Sequence, residues 1–94
     1  MEIHHDAHGG RGRFASGGGE ETAEMTYHMR GETVVVFDHT FVPPALRGRR
    51  LAEQLVAAGV EWAKAEGLRI VPQCSYVAAL FQRRPDYRAL QAEA

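Results

Sequence analysis

Three guanidinium groups, on Arg47, Arg49 and Arg50, surround Gly48 in the run HTFVPPALRGRRLAEQL from His39 to Leu55, directly ahead of an amphipathic helix. The first turn of a helix presents backbone N–H groups with no intrahelical acceptor, together with the positive end of the helix dipole. Residues in this order point at an anion, and a diphosphate could use several of these groups at once, each charge–dipole contact contributing about 0.3–1 kcal/mol. A solvated basic turn would carry the same residues, since short glycine and arginine motifs also match by chance.

The single cysteine, Cys74, follows Val71-Pro72 and precedes a helix start, a place where a thiol pKa falls toward the reactive range. The competing reading is a small buried hydrophobe. His39 closes the longest apolar strand and offers a neutral imidazole near pH 7, although a strand-end histidine often serves only a neighbouring carbonyl. Strand alternation turns Asp38 to the opposite face, so it is not expected to orient His39. Tyr76 and Tyr87 read as partly buried rings that fill core volume with the hydroxyl hydrogen-bonded. His4, His5 and His8 lack a nearby cysteine and alternate faces, so no metal site is expected. Arg11 and Arg13 lack the interleaved aromatics of a nucleic-acid strip.

These groups must be held by a small scaffold. Residues 1–21 are rich in glycine and histidine and read as two loosely ordered edge strands with glycine turns. Thr22 to Met29 and Glu32 to Val42 read as a hairpin turning at Arg30-Gly31. Apolar residues on both faces of the second strand mark it as central, and Pro43-Pro44 ends it. Leu51 to Glu66 is helical, with Leu51, Ala52, Leu55, Val56, Ala58, Gly59, Trp62 and Ala63 on one arc. Gly67 stops that helix, and Leu68 to Val71 forms a short buried strand, which makes a parallel strand–helix–strand unit. Ser75 is placed to cap a second helix through Arg84, stopped by Pro85 and followed by a tail from Asp86.

The 94 residues, 45% hydrophobic and 24% charged, suit one domain over 1–94. A net charge of −1 gives no global field toward nucleic acid or membranes, and no apolar stretch approaches the roughly 20 residues of a membrane span. With one cysteine there is no internal disulfide, and no basic region precedes an apolar segment at the N-terminus, so cytoplasmic residence is expected.

From about Phe14 to Tyr87 the chain resembles the minimal, single-domain branch of the GNAT acetyltransferase superfamily. The matching residues are His39-Thr40, Val42-Pro43-Pro44, Arg47-Gly48-Arg49, Leu55, Ala65-Glu66-Gly67-Leu68, Val71-Pro72, Cys74-Ser75-Tyr76-Val77 and Pro85-Asp86-Tyr87. The resemblance implies that acetyl-coenzyme A is the co-substrate. The exposed backbone of Thr40, Phe41 and Val42 would pair with the pantetheine arm, and the R-x-x-G-x-G/A pattern from Arg47 to Ala52, through Gly48, Arg49, Arg50 and Leu51, would hold the pyrophosphate. It also implies a place for Cys74 beside the acetyl group. One position departs from the pattern: Arg50 stands where the family has its central glycine. A residue already in helical dihedrals would point its Cβ back along the helix, so Arg50 is expected to add a phosphate contact, and Arg50→Gly to change affinity by less than tenfold, about 1.4 kcal/mol. The superfamily's usual tyrosine acid is matched by Leu80 or Phe81, which cannot donate a proton, so the resemblance leaves Tyr76 and Tyr87 as candidates for that role.

The sequence therefore reads as an α/β domain with a mixed (α+β) sheet of about five strands and two helices. The expected function is acetyl transfer from acetyl-coenzyme A to an unidentified primary amine, with Cys74, His39 (as general base) and Tyr76 as catalytic candidates and no metal. So short a chain leaves the acceptor side open, or completed by a second copy as a homodimer. Two other classes compete: a catalytically silent coenzyme A-binding module, and a small nucleic-acid-binding protein using Arg47, Arg49 and Arg50 on phosphates.

Overall fold

Two glycines set the first turn of the sheet. Gly9 and Gly10 both hold positive φ, +59° and +79°, the pair of left-handed conformations that a two-residue hairpin loop demands. They join β1 (Ile3–His8) to β2 (Arg11–Gly18), with His8 opposite Arg11. The computed structural model describes residues 2–18 and 21–92; the expected turn through Gly19 lies partly outside that range. β3 (Glu21–Arg30) pairs antiparallel with β2 and with β4 (Val34–Phe41).

Pro43 and Pro44 then end pairing, as expected from a residue without an N–H donor. Pro44–Leu46 forms a single 3₁₀ turn before the helix α1 (Leu51–Ala65). Gly67, at φ +70°, terminates it, and β5 (Arg69–Pro72) returns parallel to β4, giving one five-stranded sheet in the order β1-β2-β3-β4-β5. The mixed sheet and its strand–helix–strand unit agree with the expected fold.

The helix α1 packs on the sheet face that carries Ala23, Met25, Tyr27 and Phe37, all buried. Its approach is close enough that a Cβ on Gly59 would meet Met25 Cε at 2.6 Å and Phe37 Cζ at 3.0 Å. Burial on α1 falls on Leu51, Leu55, Val56, Gly59, Val60 and Ala63, while Trp62 is half-buried at the edge of the arc. There Trp62 joins Phe14, Tyr27 and His5, whose ring stacks on Phe14 at 4.1 Å and whose Nε2 lies 2.6 Å from the Tyr27 hydroxyl. His5 is thereby a packing residue, and burial lowers its pKa.

The C-terminal quarter departs from expectation. The second helix, α2 (Ser75–Arg83), has Cys74 at its N-cap position, and Ser75 is already helical. Pro85 opens a further short helix, α3 (Pro85–Arg88), because proline suits a first helical turn as well as it stops a preceding one. The tail then hydrogen-bonds along β5, from Ile70 N–H to the Leu90 carbonyl and from Ala92 N–H to the Ile70 carbonyl. Among the described residues no helix is long and apolar enough to cross a membrane, and no three or more His, Cys, Asp or Glu gather into a metal-holding group.

Candidate functional site

The parallel pair β4–β5 separates after Phe37, which is opposite Pro72. Beyond that point the chain after β5 turns away: the N–H groups of Gln73 and Cys74 both reach the Phe37 carbonyl, at 3.1 Å each. Residues His39 to Phe41 keep their pairing with β3 but, among the described residues, have no strand on the other side. This parting places a half-buried Cys74 against the freed edge of β4, with Thr40 Oγ1 3.5 Å from Cys74 Sγ.

Burial pushes the Cys74 thiol up, but the Thr40 hydroxyl and the backbone amides of Val77, Tyr76 and Thr40 together bring its pKa below the ordinary thiol value. The amides of Tyr76 and Val77 belong to the first turn of α2. They bias Sγ toward the thiolate without closing a strict cap hydrogen bond. Tyr76 is exposed beside this sulfur's helix, and burial of its phenol together with the Glu53 carboxylate keeps it protonated to higher pH than usual.

At the start of α1 the first intrahelical bond runs from Gln54 N–H to the Arg50 carbonyl at 3.0 Å. Ahead of it the amides of Leu51, Ala52 and Glu53 have no acceptor among the described residues, and no side chain caps them. Arg47 Nε donates to the Val42 carbonyl at 3.0 Å and ties the turn to the strand end. A shallow cavity of about 120 Å³ sits there, lined by Val42, Leu46, Arg47, Gly48, Arg50 and Leu51 among others. Open amides at a helix start, Gly48 at φ +85° and exposed guanidinium groups on Arg47, Arg49 and Arg50 fit a diphosphate.

Arg50 requires a correction. Its dihedrals, φ 57° and ψ 29°, are left-handed rather than helical, so its Cβ does not point back along α1 as expected. A left-handed side-chain-bearing residue costs about 1–2 kcal/mol, which is the physical reason a glycine suits this position.

The structure brings Cys74, Thr40 and the backbone amide of Tyr76 together at the β4–β5 opening and sets the Arg47–Ala52 turn beside Val42. It does not bring His39 to Cys74. The register shifts between Thr26 and Tyr27, so Asp38 becomes an extra residue in β4 and His39 pairs with Thr26, on the face turned away from α1, while Thr40 pairs with Met25 on the α1 face. The bulge also overturns the alternation argument: Asp38 and His39 share the outer face. Asp38 orients a different imidazole, with Oδ2 2.6 Å from His28 Nδ1 and Oδ1 accepting from Thr26 Oγ1. Burial raises the Asp38 carboxyl, but those two hydrogen bonds and the His28 and Arg11 charges leave its pKa lowered. Sequence reasoning missed this group, because the bulge that aligns Asp38 with His28 has no signal in a strand's alternation. Leu80 and Phe81 are core residues, as their chemistry demands.

A half-parted parallel strand pair with an open helix start at its mouth defines an acetyltransferase-type α+β fold. The chain belongs to the GCN5-related N-acetyl-transferase family, whose model matches residues 13–90. It is similar to Protein NATD1 of Danio rerio, 26% identical over 91 residues covering 97% of this chain and 83% of that protein. Protein NATD1 of Bos taurus is 28% identical over 85 residues, covering 90% and 75%. Among solved structures, a GCN5-like protein of Staphylococcus aureus superposes with a TM-score of 0.75 at 26% identity, covering 99% of this chain and 89% of that one. An aminoglycoside N-acetyltransferase in complex with CoA, at 22% identity and a TM-score of 0.57 over 93% of this chain and 71% of its own, shares the fold.

Proposed function

We propose that this protein binds acetyl-coenzyme A and transfers the acetyl group to a primary amine. The observation that carries the reading is the parting of β4 from β5 at Phe37, which leaves a free strand edge beside a biased thiol, in a chain that also has an open helix start after Val42. Arg47, Arg49 and the amides of Leu51 to Glu53 hold the diphosphate, and the freed edge from Thr40 to Val42 pairs with the amide-bearing arm of the donor. The thioester then lies beside Cys74, whose sulfur either positions the carbonyl or accepts the acetyl group transiently. In this reading Tyr76 returns a proton to the departing thiolate, and His39, on the far face, is the weaker candidate for the base.

Thermal-shift titration of the full chain with acetyl-coenzyme A, coenzyme A and an oligonucleotide tests this reading. Both thioester and free thiol should stabilise the fold, by about 2.7 kcal/mol at a hundred times the dissociation constant, with release of free thiol when amines are added. Stabilisation without thiol release would leave a silent coenzyme A-binding module. Stabilisation by the oligonucleotide alone, falling steeply with salt, would replace the reading with nucleic-acid binding.

A further inference from the structure

We propose that the sheet face turned away from α1 receives the acceptor, a small primary amine that also carries an anionic group, and that His28, held by Asp38, takes the proton from its ammonium. The inference rests on the acetyl-transfer reading and supplies its missing half.

The geometry begins with the tautomer. A carboxylate only accepts hydrogen bonds, so the 2.6 Å contact to Asp38 Oδ2 places the proton on His28 Nδ1. The lone pair is then left on Nε2, which has no partner among the described residues, and a carboxylate behind an imidazole stabilises the imidazolium formed on proton uptake. Thr26 fixes the carboxylate in turn, and Asp38 is held in the bulge just beyond Phe37, where β4 and β5 part. An acyl group lying in that opening would have Cys74 on its α1 side, with Asp38 on the outer face of β4 and His28 one strand further, level with Val36.

The same face carries a cleft of about 410 Å³, whose walls include Asp6, Arg11, Arg13, Thr26 and Asp38. That volume suits a small molecule. Its two arginines differ. Arg13 is engaged by Glu24 at 3.0 Å and lies 3.8 Å from Asp6, whereas Arg11 has no carboxylate in ion-pair range among the described residues. Arg11 is the register partner of His28, so their Cβ atoms stand about 4.5–5.5 Å apart on adjacent strands. A guanidinium whose charge is felt by Asp38 but which has no carboxylate in ion-pair range, beside an oriented imidazole, selects a ligand that presents an anion to one and an ammonium to the other. In the reaction His28 Nε2 takes one ammonium proton and the amine nitrogen bonds to the acetyl carbon. The carbon–sulfur bond then breaks, the second nitrogen proton passes to the leaving thiolate, and His28 returns its proton to solvent.

β-Alanine is the probe, with butylamine and propionate as controls that each lack one charge. In the full chain without acetyl-coenzyme A, β-alanine should shift the His28 imidazole and Arg11 side-chain resonances saturably, at least tenfold more tightly than either control. Because no acyl donor is present, the titration decides the site even if the donor reading fails. With acetyl-coenzyme A, His28→Gln should lower kcat at least tenfold while leaving donor affinity within twofold, and Arg11→Gln should raise the β-alanine KM with little change in kcat. Asp38→Asn, which disturbs the hold on His28 Nδ1–H, should lower kcat while leaving the β-alanine KM within twofold. Absence of the His28 shift, equal binding of the controls, or a fully active His28→Gln variant would overturn the proposal. Should His28→Gln fail to fold, the exposed Arg11→Gln variant and the titration of the unaltered chain still decide.

Discussion

Two helix starts lie at the mouth of the β4–β5 opening, and they dispose of the same resource differently. At α1 the amides of Leu51 to Glu53 are left open and framed by arginines. At α2 the amides of Tyr76 and Val77 are turned on a sulfur within the chain. The difference follows from the residue ahead of each helix: a strained arginine with no acceptor atom at Arg50, a polarisable thiol at Cys74. One start therefore has amides free for an anion from outside, and the other turns its amides on a thiol of its own. The two should fail separately when altered.

The largest effect is expected at the second start. Cys74→Ala should lower acetyl transfer by about 10²-fold or more, while calorimetric affinity for acetyl-coenzyme A stays within tenfold. At the first start the converse should hold. Arg49→Ala removes a charge-assisted contact of about 1.5–3 kcal/mol, so the dissociation constant should rise about 10–100-fold, with the rate of Cys74 alkylation by iodoacetamide unchanged. An Arg49→Ala variant with slowed alkylation would merge the two starts into one unit.

Arg50→Gly sharpens the contrast by removing strain without removing amides. Relief of the left-handed side chain should stabilise the fold by about 1 kcal/mol, raising Tm by about 4–8 °C, with cofactor affinity changed less than tenfold. The smallest effect is expected from Thr40→Val, which deletes a hydroxyl donor to Sγ. With the folded thiol pKa lowered, iodoacetamide reactivity should persist below the pH at which an ordinary thiol loses it. In Thr40→Val the midpoint of that pH profile should rise, and the rate at neutral pH should fall a few-fold.

The backbone of this arrangement was legible in the residues because each part leaves a local mark. Paired prolines end β4, helical spacing from Leu51 gives α1, and Gly67 stops it. What stayed hidden depends on register and on dihedral angles. A single extra residue at Asp38 reverses the face of His39 and delivers the carboxylate to His28, ten positions away in sequence. Arg50, an arginine where the family pattern has glycine, has a positive φ that its own residue type does not announce. Cys74, read as the residue before a cap, turned out to be the cap position, since Ser75 and cysteine compete for it within one residue of each other.

The central claim is that the open amides ahead of Gln54 grip the diphosphate while the thioester reaches Cys74. Backbone amide NMR during titration with acetyl-coenzyme A tests it most directly. Saturable shifts should concentrate at Gly48 to Glu53, with a second set at Thr40, Tyr76 and Val77 that weakens when coenzyme A replaces the acetylated form. Shifts confined to other parts of the sheet, with the amides of Leu51 to Glu53 unmoved at saturation, would contradict it.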